Sequence, residues 1–525
     1  MEASDDVKVE KELDASPENP VKLTLTKFQF VTLMISLMMS CFLLALDITV
    51  VSTALKEIAV EFDAISYVSW VGTSYMLTGS AIAPSYGSFS NIFGNKNTFI
   101  AAILLFELGS LVSAIAPSFI WLIVGRVISG FGAGGILNVA FIIIADVVPF
   151  VELSKYQSYI LSVVGIASVI GPLFGGFFVD YLSWRWCFWI NIPFGAFTII
   201  QALFVLKYSP DEESLQSKMN RIDYVGVLLI IAASVCFLIP VQLGGSDWPW
   251  DSIQTIGTFI ASVVFTLIFV FYERNIAKHP VIPSKMFENT TVYIVLVIGF
   301  LIGLTYQHIS FYVPSFFQLV NGKSATEAGL LTIPLVIGFL VFSIGSGNLI
   351  ARYGSYKYLF FVGPSIVIIG DYLLSTMNAS SSSLLQSLFL LITGIGFGCY
   401  VPLRTFAIQS AVSKENLAVA TSIVNFTYFL GGTVGVAISG AIFTNSLKRK
   451  LGEELAGIVA NDLESVDKLP DASFVISKIA ESLGATYYLA IIASILIIVF
   501  ATFMKEYKKN QIDDKKVDTN SENEV

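Results

Sequence analysis

The sequence predicts an all-α membrane protein of about fourteen spanning helices, built as two pseudo-symmetric six-helix bundles with an inserted helix pair between them. Three observations predict it: too little charge to coat a water-soluble surface, apolar runs long enough to cross a bilayer, and an internal repeat.

Apolar residues make up 55% of the 525-residue chain and charged residues only 13%, and the mean hydropathy is +0.76. A soluble chain of this size needs far more charge. The net charge of −9 says little about partners, because the acidic surplus lies mainly in the ends and one loop. No basic stripe exists for nucleic acid. Cys41, Cys187, Cys236 and Cys399 all fall inside apolar runs without ligand spacing, which excludes a disulfide framework or a zinc site.

Candidate spans lie near 28–52, 67–87, 98–116, 119–145, 156–180, 187–206, 223–243, 255–272, 292–319, 327–350, 358–376, 383–410, 418–444 and 485–504. The first run follows an acidic stretch and is too long for the core of a signal peptide, so it reads as a retained span. An even number of crossings places both termini on one side. The short loops on that side carry Lys96, Lys155, Lys207, Arg221, Arg274, Arg352 and Lys357, whereas short loops opposite carry only Lys56, Arg185 and Lys323. Basic residues favour the cytosol, so both termini are expected inside, although five basic residues in the outside loop weaken the bias. The chain then divides into a disordered tail at 1–27, a first bundle at 28–206 and the inserted pair with its flanking loops at 207–291. A second bundle follows at 292–504, with an outside loop at 445–484, and a second tail at 505–525.

The repeat has an offset of about 260 residues. Gly130 and its following glycines recur around Gly394; Gly87 and Gly94 match Gly347 and Gly354; Gly171 and Gly175 match Gly431 and Gly435. Lipid supplies no hydrophobic drive between helices, so small residues that let backbones approach are expected at the crossings. The segment from Gly165 through Gly171, Pro172, Gly175 and Gly176 reads as a packing seam, as a bend that controls which side a cavity faces, or as both.

Four segments carry a family likeness: Leu46-Asp-Ile-Thr-Val-Val51, Gly125-Arg-Val-Ile-Ser-Gly-Phe-Gly-Ala-Gly-Gly135, Gly165 through Gly176, and Trp184-Arg-Trp-Cys-Phe-Trp-Ile-Asn-Ile-Pro-Phe-Gly195. With these the chain resembles the fourteen-spanner drug:proton antiporter family of the major facilitator superfamily, most closely its fungal members. The resemblance covers nearly the whole membrane region. It implies the major facilitator fold and export of small organic compounds or drugs in exchange for protons. It also implies a conformational gate at Gly87, Asn91, Gly94 and Lys96. Here Asn91 and Asn95 stand where the family has Asp and Arg, and Lys155 alone remains of a basic cluster, so the gate has lost charge.

An ionisable side chain at mid-bilayer costs about 2.5–3.5 kcal/mol or more, so each needs an account. Asp47 and Arg126 fall at similar depth on helices that line the cavity in the resembled fold. They read either as a pair broken by protonation or as a fixed lock. His308, related to Asp47 by the repeat, reads as a proton relay or as a hydrogen-bonded cavity residue. Glu107 and Asp371 are expected on peripheral helices, and Arg404 is expected to snorkel to the cytosolic face. Tyr75, Asn138, Tyr306, Gln307, Tyr312 and Asn425 are candidate cavity residues.

The leading expectation is a proton-coupled exporter working by alternating access. The expected partners are a small-molecule substrate, protons and lipid, and the expected state is a monomer. No metal and no cofactor beyond the proton gradient are expected. The alternative is a vacuolar carrier of basic amino acids. The plasma membrane is the first expectation for location and the vacuolar membrane the second. A non-transporting receptor would carry long signalling extensions, which the short tails lack. An enzyme is rejected, because His279 and His308 are the only histidines and no nucleophile or metal motif stands in a fitting context.

Overall fold

Glycine and proline punctuate long apolar helices in this chain, and each break falls where two helices must turn or touch. The computed structural model describes residues 26–64, 67–206, 213–244, 248–453, 455 and 471–507. The expectations for the two tails lie almost wholly outside these residues.

The helices run α1 (Lys27–Glu61), α2 (Trp70–Ile82), α3 (Ser85–Phe93), α4 (Asn95–Ala114), α5 (Phe119–Val147), α6 (Phe150–Tyr181), α7 (Trp186–Trp189) and α8 (Asn191–Val205). After these come α9 (Leu215–Asn220), α10 (Tyr224–Leu243) and α11 (Ile253–Asn275). The rest are α12 (Thr290–Leu319), α13 (Ala325–Leu331), α14 (Ile333–Tyr353), α15 (Leu359–Ser375), α16 (Ser383–Tyr400), α17 (Leu403–Ala411), α18 (Leu417–Leu451) and α19 (Ala472–Phe503). Side-chain caps fix several starts. Thr26 and Gln29 form a reciprocal capping box on α1, and Ser324 and Glu327 form another on α13.

Twelve helical stretches among the described residues are long and apolar enough to cross a membrane. Two of the predicted spans do not reach that standard. One is broken between α2 and α3 around Pro84, and the other, α15, has only 17 residues. Fourteen is therefore not a count that length and apolarity alone return. The last loop also needs correction. α18 continues to Leu451 and α19 begins at Ala472, so helix invades both ends of the loop predicted at 445–484. These extensions are held together, because Ser446 donates to Ser482 and Glu481 pairs with Lys450.

The repeat reappears as geometry. α5 lies between α2 and α4, and α16 lies between α14 and α15. A Cβ on Gly132 of α5 would strike the backbone of Phe106 in α4, and one on Gly396 of α16 would strike Val367 in α15. α1 packs along α6, and α12 along α18. There a Cβ on Gly175 would lie 2.8 Å from the Val50 carbonyl oxygen, and one on Gly435 would lie 2.5 Å from that of Leu304. Gly94 (φ 82°) ends α3 and Gly354 (φ 72°) ends α14, both in backbone conformations that favour glycine.

The inserted pair sits to one side. α10 packs on α11 and touches α2 and α18, while α11 presents Ile260, Val263, Leu267 and Phe271 outward. An outward face this apolar suits lipid.

The two bundles meet most closely at the end where α1 begins and α19 finishes. A Cβ on Gly87 of α3 would come within 2.5 Å of the Val419 Cα and 2.6 Å of the Ala418 carbonyl oxygen in α18. Its repeat mate, Gly347 of α14, meets Lys155 Cα at 2.9 Å and the Ser154 carbonyl oxygen at 3.0 Å in α6. Gln157 donates to Gln409 across the same seam at 2.7 Å, and the Phe150 and Phe406 rings lie 4.9 Å apart. Backbone cannot yield to a new side chain, and overpacking costs about 1–3 kcal/mol. Gly87→Val is therefore expected to hold this end apart. The check is the rate of disulfide formation between Asn91→Cys and Glu415→Cys with the four native cysteines replaced by serine. A clear fall is expected, and an unchanged rate refutes the seam.

Candidate functional site

Span one and the long helix that follows α4 each carry one charge at matching depth, and the fold brings the two together. Asp47 Oδ2 of α1 accepts from Arg126 Nη1 of α5 at 2.7 Å, with both side chains essentially sealed from solvent. The other carboxylate oxygen accepts from Asn191 Nδ2 of α8 at 3.1 Å, and the same amide donates to Ser110 Oγ of α4 at 3.2 Å. Arg126 Nε donates to the Val71 carbonyl of α2 at 3.1 Å. The guanidinium lies over the Tyr75 ring at 4.1 Å and nears the Phe188 ring of α7 at 5.6 Å.

Every helix of the first bundle longer than ten residues, save α6, thus contributes a partner to one buried ion pair. Desolvating two charges is costly, and only good geometry with further hydrogen bonds offsets it. That condition is met here. Removing one member alone would cost about 3–5 kcal/mol, because an uncompensated charge stays buried.

Of the residues singled out in the sequence, Asp47, Arg126 and Tyr75 meet here. His308 does not. It lies in the second bundle, where Nδ1 shares a hydrogen bond of 2.9 Å with Ser439 Oγ. Its ring stacks on Tyr312 at 5.1 Å and meets the edge of Tyr487 at 5.2 Å. Nε2 has no partner, and no bond among the described residues links His308 to Asp47 or Arg126. Tyr312 donates to the Val436 carbonyl at 3.3 Å, and Gln307 packs against Gly432.

A second polar cluster joins the bundles. Asn425 Nδ2 of α18 donates to Asn138 Oδ1 of α5 at 2.7 Å, and Arg404 Nη2 of α17 donates to Asn425 Oδ1 at 3.3 Å. Arg404 also donates to the Val401 carbonyl at 2.7 Å and lies over the Tyr428 ring at 4.0 Å. Tyr306 neighbours Tyr428 with ring centroids 6.4 Å apart. The expected snorkelling of Arg404 is wrong, since its side chain is 1% exposed. The long side chain turns toward Tyr428, which is further along the helices from the nearer bundle end than Arg404 itself.

The gate residues separate by role. Gly87 makes the backbone seam, Asn91 Nδ2 donates to the Glu415 carbonyl at 3.3 Å, and Gly94 supplies the turn. Asn95 donates to Asp146 within the first bundle. Lys96 caps the end of α8 at the Leu203 and Leu206 carbonyls, 2.8 and 2.5 Å away, and so stabilises its own bundle rather than the seam. In α6, Gly171 and Gly175 face α1 (Thr49, Val50 and Thr53), whereas Gly165 and Gly176 face the second bundle. The helix runs unbroken through Pro172.

Sequence reasoning missed Asn191, Ser110, Phe188 and Tyr428. Asn191 lay in a quoted motif as the one amide in an aromatic run, which was the available signal. Glu107 and Asp371 are buried, and neither carboxylate has a hydrogen-bond partner among the described residues. The described residues contain no cluster of three or more His, Cys, Asp or Glu grouped to hold a metal.

The family model described as Major Facilitator Superfamily matches residues 37–436. "MFS-type efflux pump MFS1" of Trichophyton rubrum is 32% identical over 437 residues, covering 82% of this chain and 82% of that protein. "Multidrug resistance protein 3" of Bacillus subtilis is 32% identical over 497 residues, covering 91% of this chain and 95% of that protein. The solved structure of "the MFS (major facilitator superfamily) proton:xylose symporter XylE", bound to a bromodeoxyglucose, superposes with a TM-score of 0.61 at 15% identity. It spans 92% of this chain and 97% of that one, a likeness of fold alone. This is an integral, multi-pass membrane protein and not an enzyme. The chain belongs to the major facilitator superfamily of membrane transporters.

Proposed function

We propose that the protein is a proton-coupled antiporter that exports small organic compounds by alternating access through fourteen spans, with the proton gradient as its only energy source and the plasma membrane as its site. The observation that carries this reading is the sealed Asp47–Arg126 pair. The names of the relatives, an efflux pump and a multidrug resistance protein, support the direction of transport.

The chemistry follows from the partners. A proton arriving at Asp47 removes the charge that holds Arg126. The guanidinium still keeps the Val71 carbonyl and the Tyr75 face, so the cost of losing the pair is reduced. The α1–α5 crossing then loosens, and with it the end at which Gly87 meets α18. Coupling requires that the proton bind the two conformations with different affinity; an equal preference would shift nothing. The pair supplies that difference if it exists in only one of the two.

Asp47→Asn is expected to lower uptake of ethidium into inverted proteoliposomes under an imposed pH gradient by at least about tenfold, with gradient-independent exchange retained. Because the lone substitution strands Arg126, the double variant Asp47→Asn with Arg126→Gln is measured alongside. It is expected to recover thermal stability without recovering gradient-driven uptake. Gradient-driven uptake by the double variant at the wild-type rate would refute proton coupling at this pair.

A second expectation concerns the gate. Asn91 lies beside the start of α18, and although a carboxylate there loses the amide's bond to the Glu415 carbonyl, it gains Lys414 in the same pocket and a helix end that favours negative charge by about 0.3–1 kcal/mol. Asn91→Asp is therefore expected to populate the closed seam more and to slow transport. Unchanged turnover and an unchanged distance distribution between spin labels on α3 and α18 would refute it.

A further inference from the structure

The first bundle neutralises its buried cation with a carboxylate, and the second bundle does not. Arg404 is sealed from solvent, yet among the described residues no Asp or Glu lies within ion-pairing reach of it. A guanidinium carries five N–H donors and does not shed its proton in proteins. Here the Val401 carbonyl and the Asn425 amide oxygen accept from it, and Nε has no partner at all. The nearest buried carboxylate of the same bundle, Asp371, is itself without a partner and is not spent on Arg404. An unpaired buried charge costs several kcal/mol, and such a residue inside a membrane marks a pathway by default.

Its position sharpens the point. Arg404 lies at the start of α17, just past the break at Val401 and Pro402 that separates it from α16. At 1.5 Å per residue, Arg404 lies about 10 Å before the end of α17, Asn425 about 12 Å after the start of α18 and Asn138 about 14 Å before the end of α5, so all three share one level. The Asn425 amide that receives Arg404 also makes the bond to Asn138 across the bundles. When the bundles part at this end, that bond must break, and the Asn425 N–H is freed beside Arg404, whose Nε already lacks a partner among the described residues. Around it stand the rings of Tyr428 and Tyr306, the latter flanked by Phe339 and Phe397 at 5.8 and 5.3 Å.

We propose that Arg404 is the binding group for the anionic end of a transported compound, a carboxylate with an aromatic or apolar body that lies against Tyr306 and Tyr428. The inference deepens the export reading and rests on it for the transport step only. Binding follows from the cation alone. A fork of N–H donors suits a carboxylate in two-point contact, and the rings suit the body. The bound anion accepts from Arg404 Nε and from the Asn425 N–H that the parting frees, so binding is favoured in the parted state.

The test uses purified full-length protein in vesicles of phosphatidylcholine alone, which offer no anionic headgroup. Transport of fluorescein, a carboxylate dye, is compared with that of ethidium, a cation, and fluorescein binding is followed by anisotropy in detergent. Wild type is expected to bind and move fluorescein. Arg404→Gln is expected to weaken fluorescein binding and raise its KM by about tenfold or more, the scale of a charge-assisted contact. The loss is expected to be several-fold larger for fluorescein than for ethidium, and Arg404→Lys is expected to recover part of the fluorescein affinity. Equal losses for both dyes would assign Arg404 a structural role and overturn the proposal. Ethidium transport by a wild type that does not bind fluorescein would also overturn it while leaving export standing. Should wild type move neither dye, export fails, and the anion site stands or falls on whether Arg404→Gln, or Arg404→Lys if the former does not fold, weakens fluorescein binding.

Discussion

Close approach of helix backbones through glycine is the constraint on which the rest of this structure depends. In lipid there is no water to drive apolar faces together, so contact area and fit must do it. Gly132 against α4, Gly175 against α1 and Gly87 against α18 each remove the spacing that a Cβ would impose. Gly132 draws α5 onto α4 and Gly175 draws α6 onto α1, and within the bundle so drawn together the short side chain of Asp47 and the long one of Arg126 meet at 2.7 Å.

The seam between bundles uses the same device and adds reversibility. Gly87 and Gly347 lie on opposite sides of the pseudo-twofold, one against α18 and the other against α6. Backbone contact of this kind is steep in distance, so it is made or lost as a unit. Hydrogen bonds between neutral amides, Gln157 with Gln409 and Asn138 with Asn425, cross the same seam. A neutral hydrogen bond has a small net worth, about 0.5–1.5 kcal/mol, which suits contacts that must open in each cycle. Beside Asn91 and Asn95, Asp146 of the first bundle and Lys414 of the second line one pocket, so charge also stands at this end.

The bundles also differ in how they treat charge. In the first, Asn191, Ser110, Val71 and Tyr75 build a shell around a neutral pair. In the second, among the described residues, His308 meets a serine and two rings, and Arg404 a carbonyl, an amide and a ring, with no carboxylate on either. A repeated fold thus carries unlike chemistry in its halves, because the repeat preserves small residues at crossings and leaves the polar ones free to differ.

The sequence by itself determined the class, most of the helix positions though not their count or the ends of the last loop, the repeat, and the matching depth of Asp47 and Arg126. Apolar run length, glycine offset and rise per residue are local quantities, and they carry into lipid unchanged. Only the tertiary structure decided that Asn191 completes the pair, that Lys96 caps α8 instead of guarding the seam, and that Arg404 turns inward. It also decided that α18 and α19 extend into the loop predicted between them, through Ser446 with Ser482 and Lys450 with Glu481. In each case the deciding partner comes from another helix. The direction a long polar side chain takes is set by the unfilled donors and acceptors it finds there, which no local pattern encodes.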